Sequence, residues 1–364
     1  MNVASFFAGV GGIDLGFEKA GFKIVYANEF DPYAAETYEA NFEVKVDTRD
    51  IRTVDPYDYE AIPSFDVLLA GFPCQAFSIA GYRQGFEDTK GRGNLFFELV
   101  RIIKVRKPRV CFFENVKNLV SHDSGNTFKV ICEALDSLGY KVVSQVMNAD
   151  EYGNVPQNRE RIYIIAFQNE EDLKNFRMPN PIPLTQTIRD VIDFGGQVDD
   201  KYYYKPEKCC FYSDLVENMK NPETIYQWRR KYVRENKSNV VPTLTANMGE
   251  GGHNVPLILS DDGRIRKLTP RETFNVQGYP KDFKLPKQSD SRLYKQAGNS
   301  VVVPVIFRIA NAIWDAISDT REKEITSVKM TYSQINALIA FIEKYGSDDN
   351  DIHTVFNKLN SILQ

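Results

Sequence analysis

Six short apolar runs punctuate the first 170 residues: Val3–Phe6, Lys23–Ala27, Asp66–Ala70, Arg109–Phe113, Lys141–Met147 and Arg161–Phe167. A strand with one wet face alternates polar and apolar residues, so continuous runs predict parallel strands covered on both faces. Between them lie helical patterns over Ile13–Ala20, Pro32–Asn41, Leu95–Arg106 and Thr127–Leu138. Asn94 is placed to cap the third helix and Gly139 to end the fourth. Repeated alternation of strand and helix predicts an α/β fold with a doubly wound, mostly parallel sheet.

The rhythm breaks near Gln168. Three prolines fall within Arg177–Pro183, and residues 199–265 mix aromatic, basic, Asn and Gly residues without a helical period. A second, smaller, irregular or β-rich domain is expected there. A helical pattern returns at Val302–Ile317, and the tail carries apolar positions at Ile335, Leu338, Ile339 and Ile342 and a last short helix around Val355–Leu363. At 364 residues about two domains are expected. The boundaries read as 1–185 with 290–324 for the α/β domain, 186–289 for the second domain, and 325–364 for a helical extension. The 43% hydrophobic and 26% charged content excludes collagen-like and disordered chains. With no run of about 18 apolar residues, no membrane span is expected. Met1–Gly12 lacks a basic lead, so no signal peptide is expected. Cys74, Cys111, Cys132, Cys209 and Cys210 form no C-x-x-C pair, which predicts neither a disulfide framework nor a metal site and fits a reducing cytoplasm. A net charge of −4 gives no whole-chain nucleic-acid signal, so any such signal must be local.

Phe6-Phe7-Ala8-Gly9-Val10-Gly11-Gly12 joins the first strand to the first helix, where glycines let the backbone turn tightly beside a ligand. Counting from Gly9, the sixth position of a dinucleotide fingerprint is Asp14, which weakens a pyrophosphate reading. Asn28-Glu29-Phe30 ends the second strand with an acid suited to ribose hydroxyls, and Asp50-Ile51 offers an acceptor beside an apolar surface for a purine. Singly, these are a turn and two solvated acids; jointly they describe a nucleoside pocket without a phosphate-binding lysine. Cys74 in Gly71-Phe72-Pro73-Cys74-Gln75 follows the third strand at the sheet edge, where ligands bind, and is the cysteine placed to act as a nucleophile. Cys111 and Cys132, inside a strand and a helix, read as small buried hydrophobes. Ser78–Gly93, rich in Gly, Arg, Lys and Gln, reads as a long loop of the lid type. Glu114 at the end of an apolar strand is expected to have a raised pKa and to donate a proton, or else to cap the next helix. Arg159 and Arg161 share one face of an extended chain and could grip a planar acceptor, or form alternating charge on a wet edge.

Together these segments resemble the bacterial DNA (cytosine-5) methyltransferases. The likeness continues through Arg266-Lys267-Leu268-Thr269-Pro270-Arg271-Glu272, Gln277-Gly278-Tyr279-Pro280 and Gln296-Ala297-Gly298-Asn299-Ser300-Val301, and spans about residues 1 to 318. The resemblance implies a fold of the S-adenosylmethionine-dependent type, with S-adenosyl-L-methionine bound by Phe7, Gly9, Gly11, Glu29, Phe30, Asp50, Ile51, Phe72, Leu95, Asn299 and Val301. It implies Cys74 as nucleophile, Glu114 as proton donor to the ring, and Arg159 and Arg161 as holders of the 2-oxo oxygen.

The partner so implied is double-stranded DNA, with the target cytosine swung out of the stack. Gln75, Ser78, Arg83 and Arg92 in the loop are candidate DNA contacts. Arg229–Lys237 carries five positive charges against one negative, which makes Arg230 and Lys231 candidates for phosphate contact or an ordinary basic face. Thr243, Thr245 and Asn247 resemble a recognition loop. A cognate restriction endonuclease in the same system and action as a monomer are the further expectations. A nucleotide-dependent oxidoreductase would share the sheet but needs no Pro-Cys-Gln nucleophile. An RNA (cytosine-5) methyltransferase is the alternative, although about 100 residues separate Arg161 from Arg266 and such enzymes have a short second domain.

Overall fold

The apolar runs build a seven-stranded sheet. A computed structural model describes residues 1–73, 95–250 and 255–318. The strands in chain order are β1 (Asn2–Phe6), β2 (Lys23–Asn28), β3 (Val46–Asp47), β4 (Val67–Ala70), β5 (Val110–Val116), β6 (Lys141–Asn148), β7 (Gln157–Asn158) and β8 (Glu160–Phe167). All but β7 join one sheet in the order β3-β2-β1-β4-β5-β8-β6. The pairs β1–β2, β2–β3, β1–β4 and β4–β5 are parallel. The chain winds one way from β1 to β3 and the other from β4 to β5, so the switch point lies between β1 and β4. A crevice opens there at the carboxyl ends of the strands.

Two expectations need correction. Arg161–Phe167 was expected to be parallel, but β8 runs antiparallel to both β5 and β6. The connection from Asn148 to Glu160 is too short for a helical crossover, so the chain folds straight back. Lys141–Met147 was expected to be covered on both faces, yet β6 is an edge strand whose side chains are mostly half-buried or exposed. The central strands do fit the rule: Val67 to Ala70 are fully buried.

Helix α1 (Gly12–Lys19) starts at Gly11, which takes a left-handed φ of 84°. Helix α2 (Pro32–Glu39) is capped by Asp31, whose side chain accepts from the Tyr33 amide. One face of the sheet is covered by the helices Leu95–Arg106 and Asn126–Ser137, whose Phe96, Leu99, Ile103, Ile131 and Leu135 pack with Phe6, Leu68 and Phe113. Gly139 ends the second of these with a φ of 87°; Asn94 lies outside the described residues. On the other face Phe17 of α1 meets Phe112 at 5.3 Å, and Phe22 meets Trp314 of the helix Val303–Ile317 at 4.9 Å. The stretch Asp290–Ile317 is long and apolar enough to cross a membrane by composition, unlike the expectation from the sequence; Ile306, Ile309 and Ile313 are buried in the core.

The irregular region contains β9 (Tyr226–Trp228), β10 (Val233–Glu235), β11 (Val241–Pro242), β12 (Leu257–Leu259) and β13 (Ile265–Lys267). An antiparallel sheet of order β10-β9-β12-β13 packs on Phe211, Leu215 and Met219, with Phe211 stacked on Trp228 at 4.4 Å. Strands of three residues leave no period to read. Another cluster joins Ala8, Tyr38 and Phe42 to Ile188, Val241, Leu244 and Phe274, so Met1–Ala316 is one compact unit. The tail candidates from Ile335 to Leu363 lie outside the described residues.

Two buried charged groups stand out. Arg266, fully buried, grips Glu272 with both terminal nitrogens at 2.8 and 2.7 Å, and Glu272 also accepts from the Thr269 amide. Removing one partner of such a pair strands the other, so Arg266→Ala should lower unfolding free energy by about 3–5 kcal/mol, measured by urea denaturation. Asp14, fully buried, accepts from Ser5 Oγ at 2.9 Å and Tyr38 Oη at 2.8 Å, and burial pushes its carboxyl up to about 6. The native state therefore holds this proton more tightly than the unfolded chain. That contribution is complete below the unfolded value near 4 and disappears as pH rises through 6. Relative to Asp14→Asn, the native protein should lose about 3 kcal/mol across that window; parallel urea curves from pH 4 to 7.5 check it.

Candidate active site

At the switch point a cavity of about 440 Å³ is walled by six separate chain segments. The β1–α1 turn contributes Phe7, Gly9, Val10 and Gly12; the end of β2 gives Glu29 and Asp31; the end of β4 gives Phe72 and Pro73. Glu114 and Asn115 come from β5, Arg159 and Arg161 from around the start of β8, and Asn299, Ser300 and Val301 from between the last two helices. Phe7 and Gly9 take φ values of 54° and 57°, a left-handed backbone that glycine tolerates and phenylalanine rarely adopts. Strain of this kind collects where a loop must present its backbone to a ligand. At Gly12 any Cβ would sit 2.5 Å from Tyr279 Oη and 2.7 Å from Ser300 Oγ, so only glycine lets the first and last motifs meet.

Glu29 staples the turn. Its carboxylate accepts the Gly9 amide at 2.8 Å and the Asp31 amide at 2.7 Å, while burial raises its pKa. Each oxygen keeps a second lone pair, and the side chain remains in the cavity wall. The other cofactor candidates are placed differently. Phe30 is 68% exposed, Asp50 caps the turn Ile51–Thr53 and pairs with Arg52, and Ile51 is buried. None of these three lines the cavity, nor do Gly11 and Leu95.

Glu114 and Arg161 form the chemical centre of the wall, with Arg161 Nε 3.1 Å from Glu114 Oε1. Burial raises the Glu114 pKa, opposed by the nearby guanidinium groups of Arg161 and Arg159. The neighbouring Asn115 donates to the Phe72 carbonyl at 2.8 Å, which fixes the chain just before Cys74. Arg159 differs from the expectation that it stands beside Arg161 as a second substrate grip. Its Nη1 donates to the Leu244 carbonyl at 2.7 Å, and its Nη2 to the carbonyls of Gly298 and Ser300. A buried guanidinium needs acceptors, and three backbone carbonyls supply them.

Burial pushes the Cys111 and Cys132 thiols up, which disfavours the thiolate at both. Cys74, Gln75, Ser78, Arg83 and Arg92 lie outside the described residues. Arg230 and Lys231 are exposed at the turn between β9 and β10, Arg230 with a φ of 65°. Thr243, Thr245 and Asn247 line a second cavity of about 430 Å³ together with Asn158, Gln227, Arg229 and Arg234. The sequence reading missed Asp31, Ala34, Lys295, Gln296 and Ser300 in the first cavity. The last three sit inside or beside the Gln296–Val301 motif and were within reach; Ala34 carries no signal of its own.

The family model described as C-5 cytosine-specific DNA methylase matches residues 1–315. The chain is 62% identical over 318 residues to the Type II methyltransferase M.Bsp6I of Bacillus sp. (strain RFL6), covering 87% of this chain and 99% of the relative. It is 39% identical over 325 residues to the Type II methyltransferase M.HhaI of Haemophilus parahaemolyticus, covering 86% and 94%. Among solved structures, a Spodoptera frugiperda DNMT2 mutant superposes with a TM-score of 0.67 at 18% identity, covering 86% of this chain and 99% of that one, a likeness of fold. With the family model spanning nearly the whole described region and the Type II relatives matched almost end to end, the chain belongs to the C-5 cytosine-specific DNA methylases and is a DNA (cytosine-5) methyltransferase.

Proposed function

We propose that the enzyme methylates carbon 5 of a cytosine flipped out of double-stranded DNA, with Cys74 as nucleophile and the Glu114–Arg161 pair as the electrostatic partner of the ring. The observation that carries this reading is that pair, at 3.1 Å, in the wall of the switch-point cavity. Addition of the Cys74 thiolate to ring carbon 6 makes carbon 5 nucleophilic and places negative charge toward nitrogen 3 and the 2-oxo oxygen. Glu114, its pKa raised by burial, holds a proton at nitrogen 3, and Arg161 donates to the 2-oxo oxygen. Once carbon 5 has taken up the methyl group, loss of its proton to solvent returns the electron pair to the ring, expels the Cys74 thiolate and restores aromaticity. Arg159 acts on the backbone around the site as a positioning residue.

The methyl donor is S-adenosyl-L-methionine, which supplies an electrophilic methyl group when bound. The cavity suits a cationic nucleoside: Glu29 and Asp31 are carboxylates, Phe7 and Val301 are apolar walls, and the left-handed turn at Gly9 brings backbone close. Phe72 and Asn299, in the same wall, are proposed to complete that site, and Gly11, Phe30, Asp50, Ile51 and Leu95 are proposed cofactor contacts outside the cavity wall. Residues 1–185 with 290–324 carry the chemistry, 186–289 the recognition of DNA, and 325–364 an extension. Swinging the base out costs a few kcal/mol, which Gln75, Ser78, Arg83 and Arg92 help offset by contact with the DNA. The Type II names of the relatives support a role beside a restriction endonuclease, and we propose that the enzyme acts as a monomer in a bacterial cytoplasm.

Cys74→Ala should abolish methyl transfer while leaving cofactor binding intact, and duplex DNA bearing 5-fluorocytosine should trap the native protein through Cys74. An adduct mapped by peptide mass to another residue defeats the assignment. Glu114→Gln should lower kcat by about 10²–10⁴-fold. In the native protein the rate should fall as pH rises through the titration of Glu114, and this limb should vanish in Glu114→Gln. Neutralising Arg230 and Lys231 should flatten the salt dependence of DNA affinity by about one per lost phosphate contact. An unchanged slope in filter binding from 50 to 200 mM salt takes both residues out of the interface.

A further inference from the structure

The second cavity sits on one face of the β9–β10 hairpin. Arg234 is directly paired with Gln227 across the two strands, so both side chains project from the same face. Arg229 lies two residues beyond Gln227 and falls on that face by strand alternation, with its amide bonded to the Tyr232 carbonyl. The opposite face holds Tyr226 and Trp228, both buried in the small core. The hairpin thus anchors through aromatics and presents two guanidiniums and an amide. Among the described residues no side-chain hydrogen bond or ion pair engages Arg229, Arg234 or Gln227, and the groove wall contains no carboxylate.

Facing them are Thr243, Thr245, Asn247 and Asn158. Asn158 ties the groove to the chemistry. It pairs with Pro242 through β7 and β11, its carbonyl accepts from Thr243 Oγ1 at 2.6 Å, and Arg161 follows three residues later. The groove and the catalytic cavity are therefore neighbours across the four residues Asn158–Arg161, where β7 passes into β8.

We infer that this groove reads a guanine close to the target cytosine through Arg229 or Arg234, with Gln227 and Asn247 as supporting amides. A planar guanidinium with parallel donors matches the O6 and N7 acceptors of guanine in the major groove, the most frequent specific contact of arginine with a base. The same donors could serve a phosphate, which would add affinity without sequence preference. This inference rests on the methyltransferase reading above.

The experiment maps methylcytosine across the genome of a host lacking its own cytosine methylation, expressing the native protein, Arg229→Lys, Arg234→Lys or Gln227→Ala. Lysine keeps the charge needed by a phosphate but loses the paired donors. At least one lysine variant should relax a guanine position of the methylated motif, with a drop of about tenfold or more in preference for guanine. On a duplex carrying the mapped site, 7-deazaguanine at that position should slow the native protein and leave the lysine variant at its own rate. An unchanged motif in both lysine variants overturns the inference and makes the groove a phosphate contact. Relaxation confined to A·T positions overturns it too. Absence of any methylcytosine with the native protein would defeat the methyltransferase reading instead.

Discussion

The buried guanidinium of Arg159 is the interaction on which the arrangement of the site depends. It binds the carbonyl of Leu244 in the irregular region and those of Gly298 and Ser300 at the edge of the cavity. Burial lowers its pKa to about 9, which leaves it charged at neutral pH. A charge taken out of water must be satisfied by polar groups. Three strands of backbone are thereby held to one point. Close approach is made possible by Gly298, where any Cβ would lie 2.3 Å from the Thr245 carbonyl carbon. The result is a single compact unit, Met1–Ala316, in which the proposed recognition region and the cavity of the α/β sheet share a wall.

Much of this was legible in the sequence. The continuous apolar runs located the strands because central strands are buried on both faces, as at Val67–Ala70. They misled at β6 and β8, where a short return connection rather than composition set direction and exposure. Short strands such as β9 and β10 give no period, and a reading by charge density drew attention to Arg230 and Lys231 at the exposed turn. Only once the β9–β10 pairing is seen does Tyr226-Gln227-Trp228-Arg229 separate into an anchored face and a presented one. Arg159 and Arg161 look equivalent at spacing i, i+2; only their acceptors, backbone for one and Glu114 for the other, tell them apart.

The two carboxylates nearest the chemistry show how position sets role. Glu29 is held by two backbone amides and shapes the loop. Glu114 faces an arginine at the end of β5, and its burial outweighs that charge and raises its proton affinity. Burial raises the proton affinity of both, but two backbone amides hold Glu29 while Glu114 meets a guanidinium, so the same functional group is tied to the loop in one place and left facing the cavity in the other.

The cavity is closed by residues from opposite ends of the fold: Phe7 and Gly12 from the first turn meet Ser300 and Val301 from the last. Nearly three hundred residues must be synthesised between the halves of one binding site. Contacts of such sequence separation form late, because the loop they close must be ordered first. A chain still emerging from the ribosome, or cut short, has no wall on which a cofactor can rest. The architecture thus makes the chain through Val301 a precondition of a closed cavity.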